Sequence, residues 1–233
     1  MASFDRVITI SKTVEEYVND NYKRYLKHET RLIYRGSDEK YFNERFKPTE
    51  KYIKNFFEIF PNFENKKILC FPGRLSSWKG QEAFIKLISE LPDPYVGLIV
   101  GPYKSAKPKY FNSLKKMIED YRLKNRINFY NAKDDIREIY WLSDIVLNLS
   151  NKPEPFGRTI LEAAMMGKKI IGWDRGGPGE VLDMCFSQGK VEFNNFKMLS
   201  EVVKSLSISD EVPRNIFLTA DLMHHKTVSF YID

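Results

Sequence analysis

Lys67-Ile68-Leu69-Cys70-Phe71-Pro72-Gly73-Arg74-Leu75-Ser76-Ser77-Trp78-Lys79-Gly80 opens as a β-rich apolar run and breaks at Pro72-Gly73. It then leads into a segment with apolar residues at Ala83, Leu87, Ile88 and Leu91. The first part reads as a strand buried on both faces, and the second has helical spacing. The alternation recurs. Further strand-like runs lie at Val96–Val100, Arg126–Tyr130, Asp144–Leu149 and Lys169–Trp173, and Phe111, Leu114, Met117, Ile118 and Tyr121 mark another helix. Near-continuous apolar strands separated by helices imply a parallel sheet covered on both faces, wound by right-handed crossovers. The expected fold class is α/β, with a doubly wound, Rossmann-like parallel sheet spanning residues 66–215.

Outside that region, residues 1–34 read as strand–helix–strand, with strands at Arg6–Ile10 and Thr30–Tyr34 and the helix over Lys12–Lys27. Such a unit is too small to bury its own sheet faces, so it either joins the main sheet or belongs to a second domain. A connector follows, with a short helix around Tyr52–Phe60 ended by Pro61.

Composition narrows the function classes. Apolar residues are 42% of the 233 and charged residues 29%, which excludes wholesale disorder. No stretch approaches a membrane span, and Met1–Arg6 lacks the basic-then-apolar pattern of a secretory leader, so the expected location is cytoplasmic. Cys70 and Cys185 each sit in an apolar run and read as buried free thiols. Lys and Arg total 37 against 31 acids, a net charge of +6 that favours anionic partners without choosing among them. The basic residues are scattered among acids, which argues against nucleic acid. There is no Gly-x-Gly-x-x-Gly of a dinucleotide site and no Gly-x4-Gly-Lys of a P-loop. His28, His224 and His225 have no partners at metal-ligand spacing, and no Asp-x-Asp pair occurs, so no metal is expected.

Three glycine-bearing loops carry the chemistry. In the first, Gly73 through Gly80, Arg74 and Lys79 follow a strand end and can reach a diphosphate, although spacing alone favours a solvated loop. In the second, Glu154-Pro155-Phe156-Gly157-Arg158-Thr159-Ile160-Leu161-Glu162 runs into a helix that Gly167 caps. Its first amides, at Gly157, Arg158 and Thr159, form an anion site. Carboxylates beside an anion site suit ligand hydroxyls, which donate to them, as well as plain helix-dipole stabilisation. The third is Gly172-Trp173-Asp174-Arg175-Gly176-Gly177-Pro178-Gly179-Glu180, again a strand end, a turn and a helix start. Loops after parallel strands share one sheet edge, and their convergence points to a nucleotide diphosphate carrying a hydroxyl-rich group.

At these residues the chain resembles the retaining family 4 glycosyltransferases of the GT-B fold, mainly their C-terminal donor-binding domain. The likeness rests on Gly73-Arg74-Leu75 with Lys79-Gly80, the Glu-x7-Glu pattern from Glu154 to Glu162, and Gly176-Gly177 followed by Glu180. It is similar to members that build lipopolysaccharide or other bacterial surface polysaccharides. The resemblance implies that Arg74 and Lys79 bind the donor diphosphate and, with Glu154, carry the catalysis. Gly73 and the Arg158-Thr159 amides would complete the phosphate site. Glu162 would hold the ribose, Glu154 with Phe156 and Gly157 the sugar, and Tyr130 and Asn131 the base. Arg35 stands where the family commonly has asparagine.

By the same resemblance, residues 1–47 are a remnant of the acceptor-side N-terminal domain with its connector, 48–65 a linker helix, 66–215 the donor domain, and 216–233 a C-terminal helix packing back toward the remnant. The implied reaction transfers a hexosyl group from a nucleotide-diphosphate sugar to a saccharide or lipid-linked acceptor, without cofactor or metal. The implied partners beyond substrate are the missing N-terminal half or a second copy of the chain, together with peripheral contact at the inner membrane face. The alternative is a nucleotide-sugar-binding module that needs a partner domain to catalyse.

Overall fold

The computed structural model describes residues 5–28, 30–103, 107–132, 135–209, 211–213 and 217–232. Residues 1–4, part of the segment read for a leader, lie outside them. The described residues form two sheets. Strands β1 (Ile8–Thr9) and β2 (Arg31–Leu32) pair in parallel as a two-stranded sheet that does not join the main one. Helix α1 (Lys12–Tyr22) links them, with the Ser11 hydroxyl accepting from the Val14 amide at 3.1 Å as its N-cap. The helix stops five residues short of the expected Lys27 because the backbone leaves helical geometry at Tyr22 and tightens into a 3-10 turn over Lys23–Tyr25.

Helix α2 (Glu50–Ile59) is capped by Thr49, and Pro61 disfavours helical geometry at Phe60. The main domain then alternates: β3 (Lys67–Pro72), α3 (Gln81–Glu90), β4 (Tyr95–Val100), α4 (Pro108–Asp120), β5 (Ile127–Tyr130), α5 (Ile136–Leu142) and β6 (Ile145–Asn148). The second half follows as α6 (Arg158–Met165), β7 (Lys169–Trp173), α7 (Gly176–Cys185), β8 (Lys190–Val191) and α8 (Phe196–Ile208). The order across the sheet is β5-β4-β3-β6-β7-β8, every pair parallel. The sequence pattern contains five of these six strands; β8, only two residues long, is too short to show a period.

Burial on both faces accounts for the apolar strands. Leu69, Cys70, Leu98, Ile99, Val146 and Leu147 have no more than trace exposure, covered by Phe84 and Ile88 of α3, Leu114 of α4 and Ile160 and Leu161 of α6. Cys70 and Cys185 are buried and unpaired, and burial pushes each thiol up to about 12, so both stay protonated and inert.

Several contacts tie the flanks to this domain. The Glu180 carboxylate on α7 sits at the N-terminus of α1, accepting from the Lys12 amide (2.9 Å), the Thr13 amide and hydroxyl (2.8 and 2.7 Å) and the Tyr34 hydroxyl (2.9 Å). A carboxylate at a helix N-terminus meets both the free amides and the positive end of the dipole. The Ser11 hydroxyl also donates to the Pro155 carbonyl at 2.6 Å, directly beside the second glycine loop. Helix α9 (Ala220–Ile232) returns to the start of the chain. Ser37 and Thr219 form a bridge, and the Arg6 guanidinium stacks 5.5 Å from the Phe230 ring centre. Among the described residues no helix is long and apolar enough to cross a membrane.

Candidate active site

The strand order reverses direction at β3 and β6. From β3 the chain builds outward through β4 and β5; from β6 it builds outward the other way through β7 and β8. Loops leaving the carboxyl ends of β3 and β6 therefore diverge and leave a crevice, the usual ligand position in an open α/β sheet. A cavity of about 630 Å³ lies there, lined by Gly73 and Arg74 after β3, by Arg158, Thr159 and Glu162 of α6, and by Tyr140 of α5.

The three glycine loops are bonded into one frame. Asn151 donates its amide N–H to the Trp78 carbonyl and its side-chain amide to the Ser77 carbonyl, both at 2.8 Å. Arg175 donates to the Asn151 carbonyl at 2.9 Å, and the Gly177 amide donates to the Glu154 carbonyl at 2.9 Å. Close backbone approach explains the glycines. A Cβ on Gly177 would lie 2.3 Å from the Phe156 Cα, so no other residue fits without moving one loop off the other.

The cations differ in availability. Lys79 Nζ is held 2.7 Å from Glu154 Oε2 and lies 4.4 Å from the Trp78 ring centre. Arg158 Nε pairs with Glu162 Oε1 at 2.7 Å. Arg74 is exposed in the cavity wall and has no ion pair among the described residues. With the first amides of α6 beside it, Arg74 gives the cavity wall a positive charge that no described acid pairs, a setting suited to an anion.

Glu162 is 5% exposed and accepts from Arg158 and, at 3.4 Å, from the Tyr140 hydroxyl. Burial raises its pKa above the ordinary 4.5, and the Arg158 guanidinium partly opposes the rise. In the window between 4.5 and that raised value the folded state holds more protons than the unfolded chain, so Glu162 costs stability as pH climbs through it. The ionised form accepts from hydroxyls at both oxygens, whereas protonation turns one of them into a donor and weakens the other. Nucleoside diphosphate affinity is accordingly expected to rise with pH across the same window, and Glu162→Gln to remove that limb of a titration of affinity against pH.

Of the residues singled out in the sequence, the cavity wall gathers Gly73, Arg74, Arg158, Thr159 and Glu162. Lys79 and Glu154 adjoin it, the Lys79 side chain lying 3.8 Å from where a Cβ on Gly73 would be. Gly157 is the N-cap of α6, and Phe156 is buried beneath the frame against Gly177. Tyr130 and Asn131 are not in the wall. The Tyr130 ring turns toward Phe56 and Phe60, and its hydroxyl bonds Tyr52 and Asp135, while nearby Ala132 does line the cavity. Burial, reinforced by Asp135, holds the Tyr130 phenol at about 12.

Sequence reasoning misses Asp38, Tyr41 and Phe42, which the connector folds across the cavity mouth, and Tyr140, whose place in an amphipathic helix reads as core. The run Gly36-Ser37-Asp38 shows a turn but gives no signal of what it faces. Among the described residues no group of three or more His, Cys, Asp or Glu side chains converges as metal ligands would.

A doubly wound sheet of this strand order, with a cation, a helix N-terminus and a buried carboxylate around one crevice at its switch point, has the fold of a GT-B domain. The chain belongs to the glycosyl transferases group 1 family, whose model matches residues 53–217. It is 26% identical over 223 residues to spore coat protein SA of Bacillus subtilis, covering 90% of this chain and 57% of that protein. Among solved structures it resembles a glycosyltransferase from Rickettsia africae, with TM-score 0.83 and 26% identity over 97% of this chain and 62% of that one. It shares the fold of Anabaena Alr3699/HepE, solved with UDP and glucose, at TM-score 0.81 and 20% identity over 97% of this chain and 63% of that one. The chain spans about half the length of the curated relatives it matches.

Proposed function

We propose that this chain is the donor-binding portion of a retaining glycosyltransferase that moves a hexosyl group from a nucleoside-diphosphate sugar to a saccharide or lipid-linked acceptor. One observation carries the reading: Arg74, without an ion pair among the described residues, the amides at the start of α6 and buried Glu162 meet in one cavity at the sheet's switch point. The first two suit a diphosphate and the third suits ribose hydroxyls. Arg74, Lys79 and the α6 amides would stabilise the charge that develops on the departing diphosphate, a preorganised electrostatic effect that asks for no metal. Glu154 would face the sugar. That the HepE structure was solved with UDP and glucose makes UDP the first nucleotide to try. The net charge of +6 suits an acceptor held at an anionic inner membrane surface, as surface-polysaccharide or lipopolysaccharide assembly would require.

Melting curves with UDP, GDP and ADP test the reading. At a hundred times its dissociation constant the right nucleotide adds about 2.7 kcal/mol, a rise of roughly 5–10 °C for a chain of this size. Three unmoved curves would overturn it. A second reading is a binding module that needs a separate acceptor domain, favoured by coverage of only about half of the relatives. Transfer by the chain alone, or transfer restored when the chain is continuous with an acceptor-side domain in one polypeptide, supports the first; binding without transfer, with activity restored only by a separate companion polypeptide, supports the second.

A further inference from the structure

The last residue of β6 is Asn148, a polar side chain at the end of a strand otherwise built of Ile145, Val146 and Leu147. It is 7% exposed, Ser150 is 5% exposed and Glu154 is 8% exposed, so three polar side chains are buried together. Burial of this kind is costly unless the groups satisfy one another. They do so on one oxygen. Asn148 Nδ2 donates to Glu154 Oε1 at 3.0 Å, and the Ser150 hydroxyl donates to the same oxygen. Asn148 Oδ1 in turn accepts from the Ser150 amide at 3.3 Å, fixing the orientation of the Asn148 side chain. Among the described residues, Glu154 Oε2 receives Lys79 alone, at 2.7 Å.

A carboxylate offers about four lone-pair positions, two on each oxygen. Two donors fill Oε1 and one occupies Oε2, leaving a single acceptor position beside Lys79. We propose that Asn148 and Ser150 are positioning residues: they hold Oε1 of Glu154 so that Oε2 accepts one hydroxyl of the donor sugar while remaining in contact with Lys79. The inference rests on the donor-site reading above and adds how the sugar is selected. Lys79 bridges the two functions, since the group that would meet the diphosphate also fixes the oxygen offered to the sugar. Neither Asn148 nor Ser150 lines the nucleotide cavity, so their loss should separate sugar from nucleotide.

Isothermal titration of the whole chain with UDP, GDP and ADP, each beside its glucose conjugate, reads this directly. The sugar increment is the ratio of the two affinities for one nucleotide. Wild type should show an increment, and Ser150→Ala should reduce it at least about tenfold, the lower end for a lost hydrogen bond to a charged group, with diphosphate affinity within twofold of wild type. Asn148→Asp keeps the size and the acceptor to the Ser150 amide but replaces a donor with a second carboxylate facing Oε1. A packing role would survive it, whereas the positioning role is lost at least as fully as in Ser150→Ala. Unchanged diphosphate affinity in both variants shows that the fold and the cavity are intact. If wild type shows no sugar increment, or the increment survives both substitutions, the inference is wrong and the nucleotide reading stands. If no diphosphate binds wild type, the donor-site reading fails and takes this inference with it.

Discussion

Arg74→Ala is expected to lower nucleoside diphosphate affinity by about 30- to 150-fold, equivalent to about 2–3 kcal/mol for a charge-assisted contact. The size follows from what the other cations are doing. Lys79 is engaged with Glu154 and Arg158 with Glu162, each at 2.7 Å, so part of their charge is already answered before any ligand arrives. Arg74 has no such partner among the described residues and stands in the cavity wall. Its guanidinium presents a planar fork suited to two phosphate oxygens, which a lysine in its place would not reproduce. Because the side chain is exposed, the substitution should leave unfolding without ligand within about 0.5 kcal/mol of wild type. An affinity unchanged by Arg74→Ala would mean that the diphosphate lies elsewhere.

Gly80→Ala is expected to destabilise the fold by about 3 kcal/mol or more. Gly80 starts α3 at φ +88°, in the left-handed region that an L side chain resists. The added Cβ would also lie 1.9 Å from the Leu149 carbonyl oxygen. That carbonyl is backbone at the end of β6 and cannot rotate away like a flexible side chain. The β3 loop and the β6 loop must therefore separate, and the frame joining Trp78, Asn151 and Glu154 separates with them. The urea midpoint should fall markedly, and nucleotide binding should weaken even where the chain remains folded. A loss under about 1 kcal/mol would show that the two loops have slack that the contact distance denies.

The fold was largely legible because the strands that position the site are buried on both faces, and burial on both faces writes itself as unbroken apolar runs such as Ile68–Phe71 and Ile145–Leu147. The glycine loops were legible for a related reason: close backbone contact at Gly80 and Gly177 excludes every other residue, so the sequence must display it. What was hidden lies across long chain separations. Asp38 and Phe42 reach the cavity only because the connector folds over it, and Tyr140 only because α5 packs beside Glu162. Tyr130 lies outside the cavity wall for a reason of alternation. At a strand end successive side chains take opposite faces, and the Tyr130 ring meets Phe56 of α2 and Phe60 just past its end, which local pattern does not disclose.

If the cavity between the β3 and β6 loops holds the ligand, a crystal structure of the chain with the nucleoside diphosphate that most raises its melting temperature shows it most directly. The expected result has the diphosphate oxygens within hydrogen-bond distance of the Arg74 guanidinium and the Arg158 and Thr159 amides, with both ribose hydroxyls on the Glu162 carboxylate. A diphosphate bound away from Arg74 and the start of α6, or a ribose that leaves Glu162 untouched, would contradict it.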